Sequence, residues 1–147
     1  MEVNVMQNKR GFTLIETLVA MILFSLVLIF MLQSSLLVYR LNYEKLVKDE
    51  TVKIAQEELE RLRNESYSNI TSTCVGACSN FNPNTQNQTC IINRQVRNNN
   101  INFGREISVS EKYPYKMVTL IVCSQHKDFQ GNQIKYQVTT VISDKGF

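Results

Sequence analysis

A glycine and a phenylalanine, Gly11-Phe12, stand between a basic pair, Lys9-Arg10, and a lone carboxylate, Glu16. Those residue types at that spacing point to two linked pieces of chemistry. A peptide cut after Gly11 frees the amine of Phe12. Glu16 then has a cation within reach, and it needs one, because it opens a run fit only for hydrocarbon. A charged side chain deep in a membrane helix costs about 2.5–3.5 kcal/mol on insertion scales, so a chain that keeps one there has a use for it. The second group of reactive side chains is Cys74, Cys78, Cys90 and Cys123, all on the far side of the apolar run. Four cysteines in an oxidising compartment read as disulfides, with three possible pairings. The favoured arrangement has one bond tying a loop to Cys123 and one inside the loop. A Cys74–Cys78 bridge would close a very short, strained ring. A four-thiolate zinc site is the competing reading. It is disfavoured because Cys90 and Cys123 are too far apart for a knuckle and thiolates oxidise outside the cytoplasm. No metal and no cofactor is therefore expected.

Catalysis finds no constellation. His126 is the one histidine, next to Lys127 and Asp128 in a polar stretch, and a lone loop histidine is more often solvated than catalytic. There is no G-x-S-x-G, no Gly-rich phosphate loop and no H-E-x-x-H, so no catalytic residue is assigned and the chain reads as a non-enzyme. Three Asn-x-Ser/Thr triplets begin at Asn64, Asn69 and Asn87. In an Asn-rich segment they are chance matches to the glycosylation sequon. A net charge of +3 is too mild to argue for nucleic acid, and no basic patch interleaved with aromatics supports it.

The elements that must position these residues follow from hydropathy and period. No charge occurs from Thr17 to Tyr39, and no Pro or Gly from Phe12 to Val75. The uncharged run makes a helix roughly 35 Å long, enough to cross a hydrocarbon core of about 30 Å. A secretory signal has a shorter apolar core and a small-x-small site after it. Lys9 and Arg10 place the leading end on the cytoplasmic side and everything from Arg40 onward outside. Beyond the run, apolar residues at Tyr39, Tyr43, Leu46, Val47, Ile54, Ala55, Leu59 and Leu62 trace one stripe of an amphipathic helix. Glu44–Lys48 and Glu57–Arg61 are favourable i, i+4 pairs on its solvated side. The spacing predicts one helix from about Thr13 to about Ser66.

After Arg105 the period changes to two. Arg105–Glu111, Met117–Cys123 and Ile134–Ile142 read as strands, with Pro114 and the Gln125–Gln133 stretch between them. Ile107 and Val109 share a face, as do Ile134, Tyr136, Val138 and Thr140. A three- or four-stranded antiparallel meander on the helical stripe is the economical arrangement. Residues 67–104 are rich in Asn, Ser, Thr and Gln, and read as a loop stapled by Cys74, Cys78 and Cys90.

The stretch from Lys9 through Phe30 resembles the processing and assembly signal of type IV prepilins and type II secretion pseudopilins, with every motif position matched. The resemblance implies the following. Residues 1–11 are a leader removed by a prepilin peptidase, Phe12 is N-methylated, and Glu16 guides assembly by pairing with a neighbour's Phe12 amine. Residues 12–39 form the membrane-spanning and filament-core half of the helix. Residues 40–147 form a periplasmic α+β domain: helix 40–66, loop 67–104, sheet 105–147. Expected partners are the peptidase, other pilin or pseudopilin subunits, an inner-membrane assembly platform, and lipid before assembly. The final hairpin resembles minor pilins of the pilus-modification type. A pseudopilin shares the same chemistry and is the alternative. An uncleaved single-pass anchor displaying a disulfide-bonded domain is the alternative from another class. A major pilin fits less well, since many carry a helix-kinking Pro near the position of Gln33.

The N-terminus of the chain isolated from its native membrane tests this reading. Intact mass and N-terminal peptide mass spectrometry under non-reducing conditions should show a chain beginning at methylated Phe12, lighter by the hydrogens of two disulfides. Gly11→Asp should retain the leader. A wild-type chain beginning at Met1 beside an active prepilin peptidase would return the plain anchor.

Overall fold

A computed structural model describes residues 13–144. One helix, α1 (Leu14–Asn64), precedes four strands, β1 (Ile91–Val96), β2 (Asn99–Lys112), β3 (Tyr115–Lys127) and β4 (Gln133–Ser143). The strands form one antiparallel sheet in the order β1-β2-β3-β4. The fold is α+β and pilin-like, one long N-terminal helix with an antiparallel sheet. By its internal contacts the chain divides between Tyr39 and Arg40, a boundary that falls inside α1.

In the first unit, every large apolar side chain from Leu14 to Tyr39 is at least 44 % exposed. Three hydroxyls in this run are satisfied locally. Thr17, Ser25 and Ser34 donate to the carbonyls of Leu14, Ile22 and Phe30 at 2.8, 2.8 and 3.0 Å. A side chain that returns its proton to its own helix presents no unpaired donor to lipid.

The second unit holds the core. Val47, Thr51, Ile54, Ala55 and Leu62 are the buried helical residues. The apolar ones among them pack with Ile101, Phe103, Ile107, Val118, Leu120, Val122 and Ile134 from the sheet. The alternation of strand side chains puts this set on one face. Thr51 enters the apolar stripe because its hydroxyl donates to the Val47 carbonyl at 2.7 Å, which removes the penalty of burying it. The stripe is joined to the sheet by ion pairs. Arg105 reaches Glu58 at 2.8 Å, and Arg94 pairs with Glu57. Glu57 is thus engaged across the fold rather than with Arg61, which binds Glu58 and Glu65 instead.

The segment expected to be a loop over 67–104 is shorter. β1 and the first residues of β2 lie within it, so the sheet begins at Ile91 rather than Arg105. Two features disguise these strands. Several of their outward residues are asparagines that bond across the sheet, Asn93 to Asn102 at 2.8 Å and Asn102 to Gln125 at 3.3 Å. Their turn, Arg97-Asn98, lacks glycine and is opened by Arg97 at φ 54°, a left-handed conformation unusual outside glycine and asparagine. β3 also runs on to Lys127, past an irregular register between Cys123 and Lys127, so the β3–β4 loop is tighter than the Gln125–Gln133 stretch.

Lys116 breaks the apolar pattern on the core face. It is buried, and its ammonium donates to the carbonyls of Tyr67 and Ile70 at 3.0 and 3.1 Å. It also lies 3.1 Å from Glu111 and over the Tyr67 ring. This lysine anchors the chain as it leaves α1. Ahead of the start of β1, Thr73 takes over the free edge of β2, exchanging both backbone bonds with Ile107 at 2.9 Å. Edge groups that would otherwise stand open are thereby paired.

The remaining loop is fastened to the outward face. Cys78 bonds Cys123 on β3, and Cys74 bonds Cys90 within the loop. The short Cys74–Cys78 ring is not formed, and all four sulfurs are in these two bonds. In a chain-entropy picture each bridge stabilises by roughly 3 kcal/mol or more. Gly104 lies beneath this fastening. A Cβ there would stand 2.5 Å from the Phe81 ring and 2.9 Å from the Cys123 sulfur. Gly104→Ala should therefore lower stability by about 1–3 kcal/mol, read as a fall in the denaturant midpoint. The loss should shrink in a Phe81→Ala background, where the ring no longer collides.

Candidate assembly segment

The candidate site is the start of α1 and the apolar run it opens. Thr13 precedes the helix, and its hydroxyl accepts from the Glu16 N–H at 3.4 Å. The Thr13 carbonyl accepts from the N–H groups of Glu16 and Thr17 at 3.0 and 3.2 Å. Thr13-Leu14-Ile15-Glu16 is the S/T-x-x-E spacing of a capping box. That signal lay in the sequence, overshadowed by the cut-site pattern on the same residues. Glu16 occupies the first turn of α1, where the unpaired N–H groups and the helix dipole favour negative charge. The carboxylate is therefore compatible with the helix start before any partner arrives. Lys9, Arg10, Gly11 and Phe12 lie outside the described residues.

Glu16 is followed by apolar side chains exposed on all sides of α1. An 18-residue window of this helix reaches a mean hydropathy of 2.6. A soluble helix shows an apolar stripe. A helix apolar all round needs hydrocarbon or other apolar helices around it.

A family model described as the prokaryotic N-terminal methylation motif matches residues 6–32. This segment is a type IV prepilin-like signal. It supports a pilin- or pseudopilin-type protein, a class whose members are structural subunits. A signal of this kind implies processing by a prepilin peptidase and assembly with other pilins. With the apolar helix, it points to membrane anchoring and later incorporation into a filament. Neither the curated proteins nor the solved structures hold a significant match to this chain.

The other sequence-identified residues are placed elsewhere. The four cysteines come together on the loop and the outward side of β3. His126 lies at the end of β3, not in a free turn, with Nε2 2.9 Å from the Tyr43 hydroxyl. Asn87 accepts from the Thr89 N–H through its side chain, so one sequon doubles as a turn cap. Among the described residues, no group of three or more His, Cys, Asp or Glu is arranged to hold a metal ion.

A contact that sequence reasoning missed joins α1 to the β3–β4 loop just beyond Arg40. The Glu44 carboxylate accepts from Lys48 and, at 3.2 Å, from the N–H of Phe129. The Lys48 bond first, and the Phe129 N–H second, hold the Glu44 carboxyl below its ordinary value of 4.5, and Glu44 raises Lys48 in return. A carboxyl lowered by folding favours the folded contact above its ordinary value. That contribution is lost as pH falls through the depressed value. The amide resonance of Phe129 should therefore titrate with a midpoint below 4.5 in an NMR pH series. Glu44→Gln should abolish the titration.

Proposed function

We propose that this chain is a minor type IV pilin, a structural subunit that initiates or joins a pilus. The observation that carries the proposal is the methylation motif over residues 6–32, which runs into a helix, α1, whose apolar side chains from Leu14 to Tyr39 have no protein cover. The leader, residues 1–11, remains inside, the run from 12 to 39 spans the inner membrane, and residues 40–147 lie in the periplasm. The peptidase cuts between Gly11 and Phe12, following the basic pair Lys9-Arg10, and Phe12 is methylated. The new ammonium then stands at the positive end of a helix, where an isolated cation is disfavoured. Glu16 of one subunit meets the Phe12 amine of another, and each relieves a charge that low dielectric makes costly to leave single. The pair sets axial register, and the apolar side chains exchange lipid for one another. The run contains no Pro, which favours a minor subunit over a major pilin with a kinked helix.

Glu16→Val tests the assembly role. The variant should be processed as the wild type is, since the cut site is intact. Its recovery with the other filament subunits in a detergent pull-down should fall about tenfold or more, equivalent to about 1.4 kcal/mol or more. Wild-type recovery would overturn the pairing.

A further inference from the structure

A cleft of about 660 Å³ opens on the outward side of the sheet, between the disulfide-fastened loop and the β3–β4 loop. Both of its walls are held in place. Residues 79–82 form the first wall. There the Phe81 ring lies against Gly104 and the Cys123 sulfur, beside the Cys78–Cys123 bond. Asn82 Oδ1 accepts from the Asn84 N–H at 3.1 Å. The second wall is the β3–β4 loop and the strand ends that flank it. Asp128 Oδ1 accepts there from the N–H groups of Gln130 and Asn132 at 2.9 and 2.7 Å, and Gly131 supplies the positive φ of 84° that the turn needs. A ligand entering such a cleft meets groups that are already ordered, which lowers the entropic cost of binding.

The groups that face the cleft have a definite chemistry. The Asn80 side chain forms no hydrogen bond among the described residues. Asn82 and Gln125 use their amide oxygens, Gln125 on Asn102 at 3.3 Å, and keep their NH2 groups free to donate. Gln133 does the reverse. Its nitrogen donates to the Ser124 carbonyl at 3.4 Å, and its oxygen is left to accept. Planar amides that donate and accept side by side match the neighbouring hydroxyls of a sugar. The Phe81 ring lines the same cleft, and the negative face of an aromatic ring suits the C–H face of a pyranose.

Charge narrows the class. Lys127 and Lys135 both line the cleft, both are exposed, and neither forms an ion pair among the described residues. No carboxylate is among the lining side chains, because Asp128 is turned onto its own loop. The ligand favoured here is therefore an anion that also carries hydroxyls. A nucleic acid strand fits less well, since it stacks successive bases on several rings and this cleft offers one.

We propose that the cleft binds an acidic oligosaccharide, with the amides of Asn80, Asn82 and Gln125 on its hydroxyls, Phe81 against a sugar ring, and Lys127 and Lys135 on its carboxylate. The proposal goes beyond the filament reading and does not depend on it, because every residue it uses lies between positions 79 and 135.

The test uses the full chain, labelled with nitrogen-15, in micelles of a detergent without a sugar headgroup. The probes are trigalacturonate, a hyaluronan tetrasaccharide and 3′-sialyllactose, with neutral maltotetraose and an eight-residue oligothymidylate as comparisons. The expected result is that at least one of the acids shifts the side-chain amide resonances of Asn80, Asn82 and Gln125, with a dissociation constant of about 1 mM or below. Added salt should weaken the binding. Lys135→Glu, and Asn80→Asp, which keeps the shape of the side chain, should each weaken it about fivefold or more. No shift with any of the three acids overturns the proposal. Binding that neither substitution changes lies elsewhere and overturns it as well. Maltotetraose bound as tightly as the acids overturns the acidic class, and oligothymidylate bound more tightly assigns the cleft to nucleic acid instead.

Discussion

The structure depends on a helix that does not break where its surroundings change. α1 runs from Leu14 to Asn64, apolar on every side at first and striped later. Left in water, each large exposed side chain of the first half would cost about 1.5–3 kcal/mol. Lipid must cover that half, or apolar helices of neighbouring subunits must. The hydroxyls of Thr17, Ser25 and Ser34 donate back to their own backbone, and Glu16 sits in the first turn, where the helix itself favours a carboxylate. These local bonds lower the cost of taking the segment out of water.

The second half meets the opposite requirement, since its stripe must be covered by its own chain. A four-stranded meander does this through the hydrophobic core, and polar contacts add to its fastening. Two arginines on strands reach Glu57 and Glu58 on the helix. Lys116 binds the carbonyls of the chain leaving the helix, and Thr73 closes the edge of β2 ahead of where β1 begins. On the far face, two disulfides and the Gly104–Phe81 contact hold the loop that would otherwise hang from the sheet. A domain of roughly a hundred residues has a small core, and these fastenings supplement it.

The disulfides order the segment between helix and sheet, where hydrophobic burial is thinnest. Cys74–Cys90 closes the loop on itself, and Cys78–Cys123 attaches it to a central strand. Thr89 extends the fastening, because its carbonyl accepts from Arg105 at 3.0 Å. The same arginine holds Glu58, so the loop, the sheet and the helix meet at one guanidinium.

The sequence by itself determined what depends on local pattern. The signal around Gly11 and Glu16, the reach of the helix, its stripe, and three of the strands all follow from composition and period within short windows. It did not reveal β1, because the outward asparagines and a turn without glycine erase the contrast between strand and loop. Nor did it reveal which cysteine meets which, why Lys116 is buried, or that Glu57 pairs with Arg94. Those outcomes depend on residues dozens of positions apart being brought within a few ångströms. Only the tertiary structure decided them, because register across a sheet and the seating of a helix on it set distances that no local period encodes.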